Sequence, residues 1–471
     1  MKLHVARSIV CVAVAISPSV FAQSLASRPS KAMASDGQYI SWREHIIDDA
    51  ELGGIPLSGS DGLVMGDLDV DGHLDIVSVH EADTKYAGLD EGYVRIAYGS
   101  DDPNRWELVT LADGAEAAAA EDAAIGDVNG DGYPDIIAAC ELAHLIYFQN
   151  PGKDIRTSRW ERIIPSITKD RGSYIRVFLA DFNRDGRLDV VTPNKGEQNP
   201  AIGTQDVNPI SILSIDGDPL RDASWAEHVL GRSRIPQNAR PIDLDGDGDI
   251  DVVGGSRGEN RMMWFENQGG AEFEFVEHPI EIDGGRSGGF NMAFGDLSGD
   301  GRLDIVAPAS AALGREIAWL KQPESILGKW NYHVIGSTDP DVTVGITLAD
   351  INGDGRQDLM CGSYSRGPRA EDGDVGLDTP LGRLAWFEQP EDAAERWVRH
   401  DISRRKRGMF DKFVAQDMDG DGDIDFVSTR GNSNPYDGVF WLEQVRTKKP
   451  EAAFQRAREV DSAEASLPAG K

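Results

Sequence analysis

Short apolar runs rich in β-branched residues alternate along this chain with acidic, glycine-bearing breaks, and the alternation repeats. Gly62-Leu63-Val64-Met65 leads into Asp67-Leu68-Asp69-Val70-Asp71-Gly72-His73-Leu74-Asp75, and Ile76-Val77 follows; Leu188-Asp189-Val190-Val191 and Leu303-Asp304-Ile305-Val306 close equivalent breaks further on. Runs this short, bounded by Asp and Gly, predict strand, turn, strand. A second phrase recurs with an aromatic centre, as in Met263-Trp264-Phe265-Glu266-Asn267, Ala318-Trp319-Leu320-Lys321-Gln322, Ala385-Trp386-Phe387-Glu388-Gln389 and Phe440-Trp441-Leu442-Glu443-Gln444, and predicts a third strand. A third phrase sets His three residues after Trp (Trp42/His45, Trp225/His228, Trp330/His333, Trp397/His400, with variants at Trp106, Trp160 and Phe275/His278) and predicts a fourth. Four short strands recurring every 53 to 67 residues, seven times, describe an all-β fold: a seven-bladed β-propeller of four-stranded antiparallel blades. The last repeat lacks its Trp phrase while Trp42 stands unpaired before the first loop, so the N-terminal strand is expected to complete the last blade and close the ring, removing two exposed sheet edges.

The acidic breaks carry chemistry. Each reads Asp, any residue, Asp/Asn/Ser, any residue, Asp, Gly, two residues, Asp, and none of the seven copies is degenerate. Oxygens at positions 1, 3, 5 and 9 with a backbone carbonyl at 7 can wrap one hard cation, and Ca²⁺ takes six to eight such oxygens. The metal ligands so read are Asp67, Asp69, Asp71, Asp75; Asp127, Asn129, Asp131, Asp135; Asp181, Asn183, Asp185, Asp189; and Asp243, Asp245, Asp247, Asp251 in the first four copies. The last three supply Asp296, Ser298, Asp300, Asp304; Asp350, Asn352, Asp354, Asp358; and Asp417, Asp419, Asp421, Asp425, for up to seven Ca²⁺. An EF-hand would need flanking helices and an acid at position 12, and the flanks here are short, β-branched and non-periodic.

These loops and phrases resemble the FG-GAP/VCBS repeat family, the calcium-loop propellers that include the head of integrin α chains and many bacterial surface proteins. The resemblance covers about Gln38 to Gln444 and implies a divalent cation in every blade. The phrase that names the family is poorly kept: Phe294-Gly295 stands in one repeat, and Val306-Ala307-Pro308 only echoes Gly-Ala-Pro. The Trp phrases are more similar to propellers related to aldos-2-ulose dehydratases and some polysaccharide lyases.

Composition bounds this reading. The 471 residues form one closed ring with no second core, and the net charge of −33 is mostly loop chemistry, since 24 of the 28 loop positions are Asp. Seven Ca²⁺ would bring the total to about −19. An acidic surface argues against nucleic acid. Lys2 and Arg7, the apolar run Ile9 to Ile16 and Val20-Phe21-Ala22 read as a cleaved signal peptide over 1–22, too short to span a bilayer, and place the protein in the periplasm or outside the cell. Residues 23–37 read as a linker, 38–445 as the propeller and 446–471 as a flexible tail. A monomer without a disulfide is expected, because Cys140 and Cys361 fall in blades held far apart.

Function falls to the face opposite the metal loops, where blades one, three and six carry long insertions at Val79 to Gly92, Asn194 to Asn208 and Ser363 to Gly382. Around that mouth the register places Glu81, Glu141, Lys195, Arg257, Arg366 and Arg430, and Arg pairs with planar oxyanions in bidentate fashion, so an anionic ligand is expected, a saccharide most simply or a protein. Of nine His, five belong to the Trp phrase, one to the signal segment and one to a loop, which leaves His80 and His144 on the ligand face. Either can serve as the base of a sugar-acting carbon–oxygen lyase or dehydratase, with Tyr364 as general acid. Binding or adhesion module, lyase and calcium-stabilised scaffold therefore all remain open, since propellers host all three.

Overall fold

The computed structural model describes residues 23–310 and 314–470, and the expected signal segment lies outside them. Seven antiparallel sheets follow one another along the chain. Blade one shows the plan: Ser60–Gly66 lies innermost, and Asp75–His80, Tyr93–Tyr98 and Glu107–Asp113 succeed it outward. Two blades gain a short parallel strand at the outer edge, Ile282–Asp283 beside Trp330–Ser337 in blade five and Phe454–Gln455 beside Tyr39–Asp49 in blade seven. The ring closes as expected, for Tyr39–Asp49 pairs antiparallel with Gly438–Thr447, setting Trp42 opposite Gln444 and His45 opposite Trp441.

The blades are bonded to one another through side chains. Alternate residues of each strand point to opposite faces of the sheet, and between every pair of neighbouring blades they meet in an apolar cluster, seven clusters among the described residues. The one that joins blade seven to blade one contains Ile47, Leu63, Ile76, Val427, Val439 and Trp441. The Trp and His phrases meet across strands: Trp264/His278, Trp319/His333, Trp386/His400 and Trp441/His45 are register partners with ring centroids 4.3–4.9 Å apart. Those histidines belong to blade structure.

Two stretches depart from expectation. Residues 23–37 and 446–470, read as linker and flexible tail, run together against blades six and seven: Leu25 N–H donates to Ala465 O at 3.2 Å, Ser30 N–H to Glu451 O at 2.7 Å and Phe454 N–H to Ala26 O at 3.1 Å. The tail is held by cations that the blades bury. Arg405, fully buried, pairs with Glu44 at 2.7 Å, with Asp461 at 3.3 Å and with Glu464 at 3.4 Å. No hydrophobic period marks these segments: ion pairs hold them together with scattered apolar residues, of which Ala26, Ala32, Ala34 and Phe454 join the cluster between blades six and seven.

The innermost strands surround an axial channel. Its loop-side part is a cavity of ≈ 590 Å³ to which every blade contributes, for example Val64, Ala124, Leu179, Arg240, Phe294, Leu348 and Val414. Its other part is a cavity of ≈ 540 Å³ on the opposite face, and Asp411 lines both. No helix among the described residues is long and apolar enough to cross a membrane.

Candidate functional site

The repeat loops follow one construction. Position 1 accepts backbone N–H bonds from within its own loop, as Asp67 does from Asp71 and Gly72 at 3.0 Å each. Position 9 is buried, and in all seven loops it accepts the N–H of position 2, for example Leu68 to Asp75 at 2.8 Å and Met418 to Asp425 at 2.9 Å. In six blades its other oxygen accepts an N–H from the end of the third strand or just beyond it, from Gly99, Asn150, Asn267, Gln322, Gln389 and Gln444. Five of those residues then reach back to the previous blade: the amides of Asn150, Asn267, Gln322, Gln389 and Gln444 donate to the carbonyls of Leu68, Phe182, Leu244, Leu297 and Ile351 at 2.9–3.1 Å. The Asn or Gln that ends each aromatic phrase is thus a blade-to-blade staple, a role the sequence reading did not assign. It ties loop geometry to ring integrity.

The loops differ in charge. Three carboxylates converge within 4.8 Å in the loops of blades one (Asp67, Asp69, Asp71), four (Asp243, Asp245, Asp251) and seven (Asp417, Asp419, Asp425), the three copies with Asp at position 3. Where position 3 is Asn, its amide donates to the position-5 carboxylate, as Asn129 does to Asp131 at 2.9 Å. Blades four and seven add a fifth Asp at position 7, Asp249 and Asp423, whereas blades five and six place there Arg302 and Arg356, which pair with their own position-5 Asp. An all-oxygen donor set of this kind fits a hard divalent cation. Burial, against the pull of backbone N–H bonds, raises the Asp251 and Asp425 carboxyls to about 7, a position that a bound cation would relieve.

On the opposite face the three insertions meet. Tyr86 from the first, Lys195 from the second, and Tyr364, Arg366 and Arg369 from the blade-six loop all line the ≈ 540 Å³ cavity, together with Glu81, Glu141 and Arg257. Of the six ligand residues expected there, five line it. Arg430 does not: it is buried and held by Asp461 of the docked tail at 2.5 and 2.8 Å. The mouth is also less cationic than its sequence suggests, because Asp61, Glu121 and Asp411 share it. Glu141 bonds Lys195, and Asp411 accepts from Arg176 at 3.3 Å and from Asn291 at 3.0 Å. Arg257, Arg366 and Arg369 have no carboxylate within ion-pair reach among the described residues; Arg369 donates to the Tyr364 hydroxyl at 3.3 Å.

The histidine assignments require correction. His80 is fully buried, its Nδ1 bonded to Ser60 Oγ at 2.7 Å and its Nε2 to Ser78 Oγ at 3.0 Å, and burial lowers its pKa to about 3. His144 begins the third strand of blade two and bonds the Glu116 carbonyl at 2.9 Å; it too is buried. Neither lines the cavity. His80 ends its strand and Glu81 follows it, so the next residue along the chain, and not the histidine, reaches the mouth.

Asp61, Glu81 and Glu121 are 4%, 6% and 9% exposed. Burial above all, then repulsion from neighbouring carboxylates, pushes their carboxyls up, Asp61 to about 8 and Glu81 to about 9. Asp61 and Glu121 escaped the sequence reading although a signal existed: acids in Ser60-Asp61-Gly62 and in Ala119-Ala120-Glu121-Asp122-Ala123 interrupt innermost strands that otherwise carry small or apolar residues.

Comparison with known proteins adds to this geometry. A family model described as an FG-GAP-like repeat matches residues 67–138, 127–192 and 243–307. No curated protein matches the chain. A solved structure described as BBS1N in complex with ARL6DN, soaked with mercury, is similar over 86% of this chain and 97% of that one, at 10% identity and a TM-score of 0.46, a likeness too distant to carry function. FG-GAP-like repeats in three stretches, on a ring of seven four-stranded blades, support an FG-GAP repeat propeller.

Proposed function

We propose that this propeller is an exported calcium-binding protein whose repeat loops hold Ca²⁺ and whose axial mouth takes an anionic carbohydrate. The observation that carries the reading is the convergence of all three long insertions on one cavity, with Arg257, Arg366 and Arg369 free of carboxylate partners there. Guanidinium groups pair with a sugar carboxylate or sulfate, the carboxylates across the cavity accept sugar hydroxyls, and Tyr86, Phe290 and Tyr364 offer ring faces. Cavity residues act here as a binding set; the elimination reading loses both of its histidine bases, since each is buried and hydrogen-bonded away from the cavity.

Calorimetric titration of the calcium-loaded protein with acidic and neutral oligosaccharides tests this. Binding of an acidic saccharide by the wild type, with at least a tenfold loss in an Arg366→Glu/Arg369→Glu variant, is expected, as about 1.4 kcal/mol corresponds to tenfold. Equal binding by wild type and variant, or preference for the neutral sugars, would remove the mouth from consideration.

A further inference from the structure

The mouth gathers buried carboxylates that its close ion pairs do not all use. Three close pairs account for some of them: Lys195 with Glu141, Arg176 with Asp411 at 3.3 Å, and Lys412 with Asp122 at 3.3 Å. Asp61, Glu81 and Glu121 are left over. Glu121 has one cation in reach, the Arg176 guanidinium at 3.9 Å, which is already bonded to Asp411; Asp61 and Glu81 have none within ion-pair distance among the described residues, and Glu81 receives a long 3.5 Å bond from the amide of Gln198. Leaving carboxylates buried without a counter-charge is strongly unfavourable.

These same three residues each bring one carboxylate oxygen to within 4.8 Å of the others. A second observation points to a missing partner: Asp61 Oδ2 and Glu141 Oε2, on residues 4% and 3% exposed that line this cavity, have no hydrogen-bond partner. The buried position-9 carboxylates Asp75 and Asp425, by contrast, each accept a pair of backbone N–H bonds. We propose that Asp61, Glu81 and Glu121 form a divalent-cation site in the mouth, on the face opposite the repeat loops, within the cavity that Glu141 also lines. The donor set is all oxygen with no imidazole or thiolate, so the site takes a hard ion of the Ca²⁺ or Mn²⁺ class. Its ligands come from blades one and two and are separated by up to 60 residues, so it is not a repeat loop. The site is independent of the saccharide reading, and a cation there would stand within the cavity lined by Arg257 and Arg366.

Counting ions on the full chain tests it. Wild-type protein, Asp61→Asn/Glu121→Gln and the single variant Glu81→Gln are dialysed against Ca²⁺ alone and, separately, against Mn²⁺ alone, and bound metal per chain is measured by elemental mass spectrometry. Both variants are expected to carry one ion fewer than wild type in at least one series, with near-UV circular dichroism unchanged. Equal counts in both series, or an ion lost only together with the near-UV signal in both variants, would overturn the site. Because no sugar is present, this outcome does not depend on whether the mouth binds saccharide.

Discussion

The two faces of the ring both gather carboxylates, and they hold them in opposite ways. On the loop face three to five acids come from nine consecutive residues, stand half-buried or exposed at positions 1, 3 and 5, and are organised by backbone N–H groups of their own turn. On the mouth face Asp61, Glu81, Glu121, Glu141 and Asp411 come from three blades, are buried, and meet only because the ring is closed. Local acids form a site whose chemistry does not wait for the fold, whereas distant acids form one that exists only in the folded ring. The first arrangement can be repeated sevenfold; the second occurs once.

Removing the loop ions should have the largest effect. A site held at a hundred times its dissociation constant stabilises by about 2.7 kcal/mol, and several such sites tied through the amide staples give a large sum. Chelator is therefore expected to lower the melting temperature sharply, with calcium titration showing the five-Asp loops of blades four and seven filling first and the Arg-bearing loops of blades five and six last. A melting temperature indifferent to chelator would end the distinction between the faces. On the mouth side, Asp411→Asn leaves the buried Arg176 guanidinium without its carboxylate, a change expected to cost about 3–5 kcal/mol in chemical denaturation whether or not calcium is present. A loss seen only in the presence of calcium would mean that the faces are not separate.

The smallest effect sharpens the contrast between His80 and its neighbour Glu81. Because burial holds His80 near 3, below the 6.5 of an exposed imidazole, the unfolded chain binds a proton that the folded chain refuses between those values. That contribution to stability is present above pH 6.5 and lost as pH falls through the window, at up to ~1.4 kcal/mol per pH unit. Urea midpoints at pH 7, 5 and 4 should therefore fall less steeply for His80→Asn than for wild type, and parallel slopes would argue that the imidazole titrates normally and lies open to the mouth.

How much of this was legible follows from the same contrast. The loops, the blade count and the closing strand are local or periodic, so Asp67 to Asp75 and Trp42 could be read directly. Glu81, Glu141, Lys195 and Arg257 could be placed by counting forward from each loop, since every second strand is of similar length and emerges on the same face. Arg430 stands one residue short of that count and is held by Asp461, because nothing in a non-periodic tail announces which cation it will meet. His80 was misplaced by one residue, and in a strand one residue reverses the direction of a side chain. Asp61 and Glu121 lay before the loops, where attention to apolar approach strands hid the acids inside them.

The closing strand has a consequence for how the molecule is made. Arg43 in that strand meets Glu443 across 400 residues, and synthesis at 5–20 residues per second puts roughly 20–80 seconds between the two. Throughout that interval the first strand is an unpaired edge with Ile40, Trp42 and Ile46 to shield, and the last to arrive, Phe454–Gln455, covers its far side. Closure of the ring is therefore a late event in the making of the chain, and it waits on strands made after every blade but the last.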